Sequence, residues 1–363
     1  SGALIPDRFP GQNFDQIVYQ AMHHQMVASA LAVKLGHELC PGAMIGCMMT
    51  RLCFYAYTCK PEDNLATQQR MRGIYRYVDI QVFGEYPRYL LKEIERKGLH
   101  IKMQPEDAQI LKEGTVDFVS FSYYMTSCMA AKTDGLEMSP GNTVNGVKNP
   151  YLTASEWGWQ TDPIGLRISL VELYDRFRKP LFIVENGLGA RDTVTEDGKV
   201  HDPYRIEYLK EHVKAMSDAI NIDGVDLLGY TWWGCIDLIS ESTRQMSKRY
   251  GFVYVDLDDE GHGTYKRIRK DSFYYYKKLI AANGNVDGPE VARRILFVGD
   301  RPSQSDRPRG RHAERYQLHG HQAARANRQG LGTVRGQERR GVRAQVHADR
   351  GGRLERQRYH KCR

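Results

Sequence analysis

Leu181-Phe182-Ile183-Val184-Glu185-Asn186-Gly187-Leu188-Gly189 carries a run of four apolar residues into a carboxylate, and two glycines then break the pattern. Strands buried on both faces read as unbroken apolar runs of this kind, whereas half-exposed strands alternate. In a (β/α)8 barrel, residues at the C-terminal ends of the strands carry the chemistry. Glu185 is therefore the first candidate for a catalytic residue, although Asn-Gly also marks ordinary turns.

Working outward, the alternation of elements supports that setting. Asn13 is a predicted cap for a helix running to about Glu38, with Ile17, Ala21, His24, Ala28, Leu31 and Leu35 at helical spacing. Met44–Met49 reads as a buried strand, residues 61–97 as helical segments, and Val116–Tyr124 as a second strand. Met125–Thr161 is rich in Gly, Pro and Asn and reads as a long loop, a kind of segment that is usually functional in compact domains. Beyond it follow a helix over Ile164–Arg178, the Glu185 strand, a helix over Pro203–Ala219, a strand over Val225–Trp233 and a last helix over Asp271–Ala282. Four strand-to-helix alternations predict βα units and a parallel sheet. Four units are half of an eight-stranded barrel, and such a half is expected to leave open strand edges and an apolar inner face, and so to be poorly stable alone.

Charge is unevenly placed. Residues 286–363 hold 18 Arg and 1 Lys against 8 acidic residues, a net +11, which leaves −3 for residues 1–285 of the chain's +8. The high isoelectric point thus belongs to the tail, and it is no argument that the whole chain binds nucleic acid. Beyond Phe297 the tail has no Phe or Trp, a composition expected to stay disordered. Two readings of it are a basic arm for an acidic partner and an out-of-frame translation; the lack of interleaved aromatics favours the second. Seven scattered cysteines without paired Cys-x-x-Cys spacing point to free thiols, and no stretch approaches a membrane span, so a cytoplasmic protein is expected. His23-His24 and His319-Gly320-His321 are weak metal signals, because adjacent helical residues face different ways. No Gly-rich phosphate loop is present, and neither metal nor cofactor is expected.

Several segments in order resemble glycoside hydrolase family 1, and within it the 6-phospho-β-glucosidases. They are Phe118–Tyr124, Asn149–Leu152, Ser155–Trp159, Phe182–Gly187, Gly229–Asp237 and Met246–Phe252, within a match over about residues 10–284. The resemblance implies a TIM-barrel type of fold, of which residues 1–285 hold the C-terminal half with about four strands. It implies Glu185 as nucleophile of a retaining hydrolysis and Tyr123 as the tyrosine whose hydroxyl bonds to it. Trp233 is similar to the tryptophan that packs along the glycone ring, and Trp157 and Trp159 are expected walls of the sugar sites.

Ser240, Lys248 and Tyr250 carry the phosphate expectation. Members that bind unphosphorylated glucose place a glutamate where this chain has Ser240; a carboxylate there would repel a 6-phosphate, whereas a hydroxyl can donate to it. Lys248 adds a point charge and Tyr250 another donor, and Glu241 must then point away. The substrate implied is a phosphorylated β-glucoside, with β-glucosidase or 6-phospho-β-galactosidase specificity as weaker alternatives. The family's acid/base glutamate lies in a Thr-(Phe/Leu)-Asn-Glu segment, which is expected to be missing here together with the first four strands. A catalytically inactive fragment is accordingly the alternative expectation for the chain as written.

Overall fold

The computed structural model describes residues 4–139 and 146–284 together with the backbone of 296–297. Its strands are β1 (Gly46–Thr50), β2 (Cys53–Ala56), β3 (Phe118–Tyr123), β4 (Thr126–Met129), β5 (Met138–Ser139), β6 (Gly146–Val147), β7 (Leu181–Asn186), β8 (Leu227–Trp232), β9 (Val253–Val255), β10 (Arg267–Arg269) and β11 (Leu296–Phe297). Its α-helices are α1 (Phe14–Leu39), α2 (Pro61–Phe83), α3 (Arg88–Arg96), α4 (Asp107–Glu113), α5 (Pro163–Phe177), α6 (Pro203–Asn221) and α7 (Asp271–Ala281).

The central sheet is parallel in the order β1-β3-β7-β8-β11. Helices start where the sequence supplies a cap. Asn13 Oδ1 accepts from Gln16 N at 3.3 Å to open α1, and Asp162 Oδ1 accepts from Gly165 N at 2.8 Å, with Pro163 at the first turn, to open α5. One face of the sheet is packed: Val119, Phe121, Leu181, Ile183 and Leu227 meet Leu166, Leu170 and Leu173 of α5 and Leu209, Val213 and Met216 of α6. Each fully buried leucine here contributes about 1.5–3 kcal/mol of transfer free energy. The opposite face is more open, with Met48 exposed and Phe118 and Phe182 half-buried beside one another at a 6.4 Å ring separation. A second apolar cluster ties Tyr19, Met22 and Met26 of α1 to Leu90 and Ile94 of α3 and Leu111 of α4. His23 belongs there, between Tyr86 Oη at 3.0 Å and Asp107 Oδ2 at 2.8 Å, which makes it a tie between helices.

The four parallel strands expected from the sequence are β1, β3, β7 and β8. The stretch expected to be one long loop holds more order than that. Within it β4, β5 and β6 join β2 in a four-stranded sheet, and residues 140–145 lie outside the described residues. Since β2 follows β1, and β4 follows β3, after two residues each, this second sheet grows from the C-terminal ends of two central strands. The boundary expected from the sequence lies at 285, and the chain divides into residues 1–302 and 303–363. Past that expected boundary, the backbone of Leu296 and Phe297 pairs in parallel with Gly229 and Tyr230, and the rest of the expected tail, with His319 and His321, lies outside the described residues. The six described cysteines are free thiols, and no described helix is long and apolar enough to cross a membrane.

Candidate active site

Laterally paired residues in a parallel sheet point to the same side, so register decides which side chains share the open face. Between β3 and β7, Phe121 pairs with Ile183, but the next pair is Ser122 with Glu185, leaving Val184 as an extra residue. A bulge of this kind re-aims the side chains that follow it. Glu185 thereby shares Ser122's side, away from the helices. Asn186 pairs with Tyr123 and, across β7–β8, with Trp232, and all three are buried on the helix side.

That register corrects the expectation for Tyr123. Its hydroxyl donates to the backbone oxygen of Asp162 at 2.6 Å, at the cap of α5, and its ring lies 6.2 Å from His212 of α6. Tyr124, one residue on, turns back to Ser122's side and donates to Glu185 Oε2 at 3.0 Å. Burial, and then the negative charge of Glu185, raise the Tyr124 pKa far above its ordinary value, so the phenol keeps the proton it donates. Behind the carboxylate, Asn186 Nδ2 donates to Tyr123 O at 2.8 Å and to Tyr208 Oη at 3.0 Å, and its Oδ1 accepts from Tyr230 Oη at 2.8 Å. The side chain that follows Glu185 is thus fixed from three directions. His212 stacks on Tyr208 at 3.8 Å, and burial pulls its pKa down to about 4, which keeps this packed ring neutral.

Trp233, expected to line the glycone, follows β8. Its backbone N–H donates to Asn186 O at 2.8 Å and the residue is exposed. Gly187 is needed beside it, since a Cβ there would come within 2.7 Å of the Trp233 carbonyl oxygen. The neighbouring Trp232 Nε1 donates to Tyr250 O at 2.9 Å and so ties the strand end to the segment that carries the phosphate candidates.

Those candidates lie together. Ser240 Oγ and Tyr250 Oη are 3.1 Å apart, and both residues are buried. Lys248 Nζ stands 4.2 Å from the ring centre of Trp159, 5.3 Å from Trp157 and 5.7 Å from Tyr250. Among the described residues no carboxylate pairs with it, and burial lowers its pKa from the ordinary 10.5 to about 8. Aromatic faces attract a cation, more so when it is desolvated, and here they stand where a counter-ion would. Gly189 makes room for the lysine stem, because a Cβ there would lie 2.7 Å from Lys248 Cγ. Trp157 is held by Gln245, its Nε1 donating to Oε1 at 3.1 Å. Trp159 also reaches the other end of the site, with its ring centre 5.4 Å from that of Tyr124. Glu241 is exposed, unlike Ser240.

Sequence reasoning missed Tyr124, Gln245 and Arg249. Tyr124 is the second of the two tyrosines that end Phe118–Tyr124, and strand parity alone favours Tyr123, because the bulge at Val184 that brings Glu185 to Tyr124's side has no sequence signal. Arg249 is legible as the odd member of Lys248-Arg249-Tyr250, facing away from its neighbours. Gln245 leaves no signal.

Comparison with known proteins gives these residues a setting. The Glycosyl hydrolase family 1 profile matches residues 4–285. The 6-phospho-beta-glucosidase AscB of Escherichia coli (strain K12) is 53% identical over 274 residues, covering 76% of this chain and 57% of that protein. Aryl-phospho-beta-D-glucosidase BglH of Bacillus subtilis (strain 168) is 54% identical over 276 residues, covering 76% and 58%. Among solved structures, the family 1 β-glucosidase from Thermotoga maritima superposes with a TM-score of 0.63 at 30% identity, covering 77% of this chain and 60% of that one. The chain therefore spans about 57–60% of the length of these proteins.

Proposed function

Because the chain belongs to glycosyl hydrolase family 1, we propose that its site takes β-glucosides phosphorylated at O6 and serves their hydrolysis with retention of configuration. Glu185 attacks the anomeric carbon as the bond to the leaving oxygen breaks, and a glycosyl ester forms. A carboxylic acid protonates the leaving oxygen, then draws a proton from water as that water cleaves the ester and restores Glu185. Tyr124 orients the attacking carboxylate, Trp233 packs against the sugar, and Ser240, Lys248 and Tyr250 hold the phosphate, with Trp157 and Trp159 walling the site.

The observation that carries this reading is the meeting of Ser240, Tyr250 and Lys248, with two hydroxyls 3.1 Å apart beside a buried ammonium that has no carboxylate among the described residues. A phosphate dianion fits such a place, and an unphosphorylated sugar leaves the ammonium without its ligand. The names of the AscB and BglH relatives support the same substrate class.

Titration calorimetry of the full chain with glucose 6-phosphate and with glucose tests it. We expect clear preference for the phosphate, and Lys248→Met should weaken glucose 6-phosphate about 10- to 100-fold, the equivalent of one charge-assisted hydrogen bond. Equal binding of the two sugars, or an unchanged Lys248→Met, would contradict the reading.

The pH dependence has a defined sign. Lys248 is charged below about 8, and phosphate becomes a dianion above about 6. Affinity should peak between these limits and fall on both sides. The same shift links to stability in the opposite sense. The folded chain releases this proton at about 8, whereas the unfolded chain holds it to 10.5, so this group's contribution to stability rises with pH across that interval.

A second reading, sugar binding without turnover, is favoured by one observation. No Thr-(Phe/Leu)-Asn-Glu segment occurs among the 363 residues, so none of them is assigned as the acid that partners Glu185. Release of an alcohol from an alkyl β-glucoside 6-phosphate by the chain alone would exclude it, because a poor leaving group needs that proton.

A further inference from the structure

Lys248, Arg249 and Tyr250 form an extended segment. Arg249 exchanges backbone bonds with Ala190, with Ala190 N donating to Arg249 O at 2.9 Å and Arg249 N to Ala190 O at 3.0 Å. Neighbours in extended chain point to opposite sides, so Arg249 faces away from the phosphate candidates on either side of it. Both terminal nitrogens of its guanidinium are engaged there. Nη1 donates to Val255 O at 2.8 Å and to Asp237 Oδ2 at 3.2 Å, Nη2 donates to Leu257 O at 2.9 Å, and the group lies 4.0 Å over the Tyr254 ring.

Asp237 is itself held in place. Its Oδ1 accepts from Gly251 N at 2.9 Å and from Lys270 Nζ at 2.7 Å. Lys270 pairs in turn with Asp192, Asp192 with Arg205, and Arg205 with Asp202, which accepts from Ser272 N at 2.9 Å at the start of α7. Three cations and three carboxylates, all buried, therefore run from α6 and α7 to the back of the phosphate segment with their charges balanced.

We propose that Arg249 is the positioning residue for recognition of the 6-phosphate. Its forked contacts to Asp237, Val255 and Leu257 hold the segment in the orientation that points Lys248 and Tyr250 toward Ser240. The inference rests on the phosphate reading above. A lysine at 249 keeps the charge but lacks the planar fork needed to bond a carboxylate and two carbonyls together. Loss of the charge also leaves the buried network net negative behind the anion site, a second effect of the same sign.

Asp237→Asn separates orientation from charge. It makes the network net positive, which by charge alone would tighten phosphate binding, yet it removes the partner that aims Arg249, which by orientation weakens it. Calorimetry of the full chain with glucose 6-phosphate reads the result. We expect Arg249→Met to weaken binding at least tenfold, Arg249→Lys to recover only part of the loss, added methylguanidinium to restore binding to a truncated Arg249→Ala, and Asp237→Asn to weaken binding as well. Near-ultraviolet circular dichroism identifies variants that keep the fold, and the methylguanidinium rescue is a response that general destabilisation would not give. Folded Arg249→Met and Arg249→Lys within twofold of the parent, or Asp237→Asn binding more tightly, overturns the positioning role. Lys248→Met tells the two failures apart. If it loses binding while the Arg249 variants do not, the positioning inference falls and the phosphate reading stands; if neither loses binding, the phosphate reading falls.

Discussion

Incubated with a 2,4-dinitrophenyl 2-deoxy-2-fluoro-β-glucoside 6-phosphate, the chain is expected to gain one glycosyl group, on Glu185, and Glu185→Gln to gain none. The reagent is chosen for its physical chemistry. Fluorine beside the anomeric carbon destabilises the oxocarbenium-like transition states of both steps, while dinitrophenolate departs without being protonated. The first step therefore needs only a nucleophile, and the ester accumulates because the second step is slow. This isolates Glu185 from the identity and position of the acid. Intact mass and peptide mapping read the outcome, and an adduct on another residue, or on Glu185→Gln, would remove Glu185 from the role. Tyr124→Phe should slow the labelling without abolishing it, because the phenol orients one carboxylate oxygen but makes no bond to the sugar.

The second large effect belongs to Gly251. A Cβ at this position would sit 2.2 Å from Ile236 C and 2.3 Å from Asp237 N, so the clash is with backbone on a neighbouring segment, where no side chain can swing aside. Gly251→Ala must push apart the two strips that carry Asp237 and Lys248–Tyr250. Overpacking of this kind costs about 1–3 kcal/mol and occasionally more, or about 2–4 °C of melting temperature per kcal/mol for a domain of 150–250 residues. We expect a lower melting temperature together with loss of glucose 6-phosphate affinity, since the Gly251 N–H also bonds Asp237. Gly198→Ala is the matched control. That glycine has nothing within 4 Å of its missing Cβ and only a positive φ of 75°, so its cost should be backbone strain alone, with the affinity unchanged. Equal effects at the two positions would argue against the close approach as the cause.

Much of the scaffold was legible because local chemistry announces it. Asn13 and Pro203 mark helix starts, and the unbroken apolar run into Glu185, with the largely apolar stretches ending in Tyr123 and Trp232, marks parallel strands. What escaped depends on register and on contacts between distant segments. The family resemblance implies Tyr123 at the nucleophile, but side-chain direction follows pairing, and the bulge at Val184 that turns Glu185 to the open face leaves no mark in a run of apolar residues. The two-residue strands β5 and β6 are shorter than any periodicity can register, so their sheet read as loop. Ser240, Lys248 and Tyr250, proposed to hold the phosphate, stand out by chemistry, since a serine stands where, by the family resemblance, a carboxylate would repel the anion. The buried charges behind them do not, because they come from three separate segments, around 192–205, at Asp237 and at Lys270, and each alone looks like a surface residue.

Trp159 has one more consequence. Its indole lies 4.2 Å beneath the Lys248 ammonium and 5.4 Å from the Tyr124 ring, the phenol bonded to Glu185. A charge held over one face of an indole shifts its excited-state energy, and a phenol beside it exchanges excitation with it. One of the chain's four tryptophans thus senses both ends of the proposed site, its emission shifting with the charge on Lys248 and its excitation through tyrosine depending in part on the Tyr124 ring.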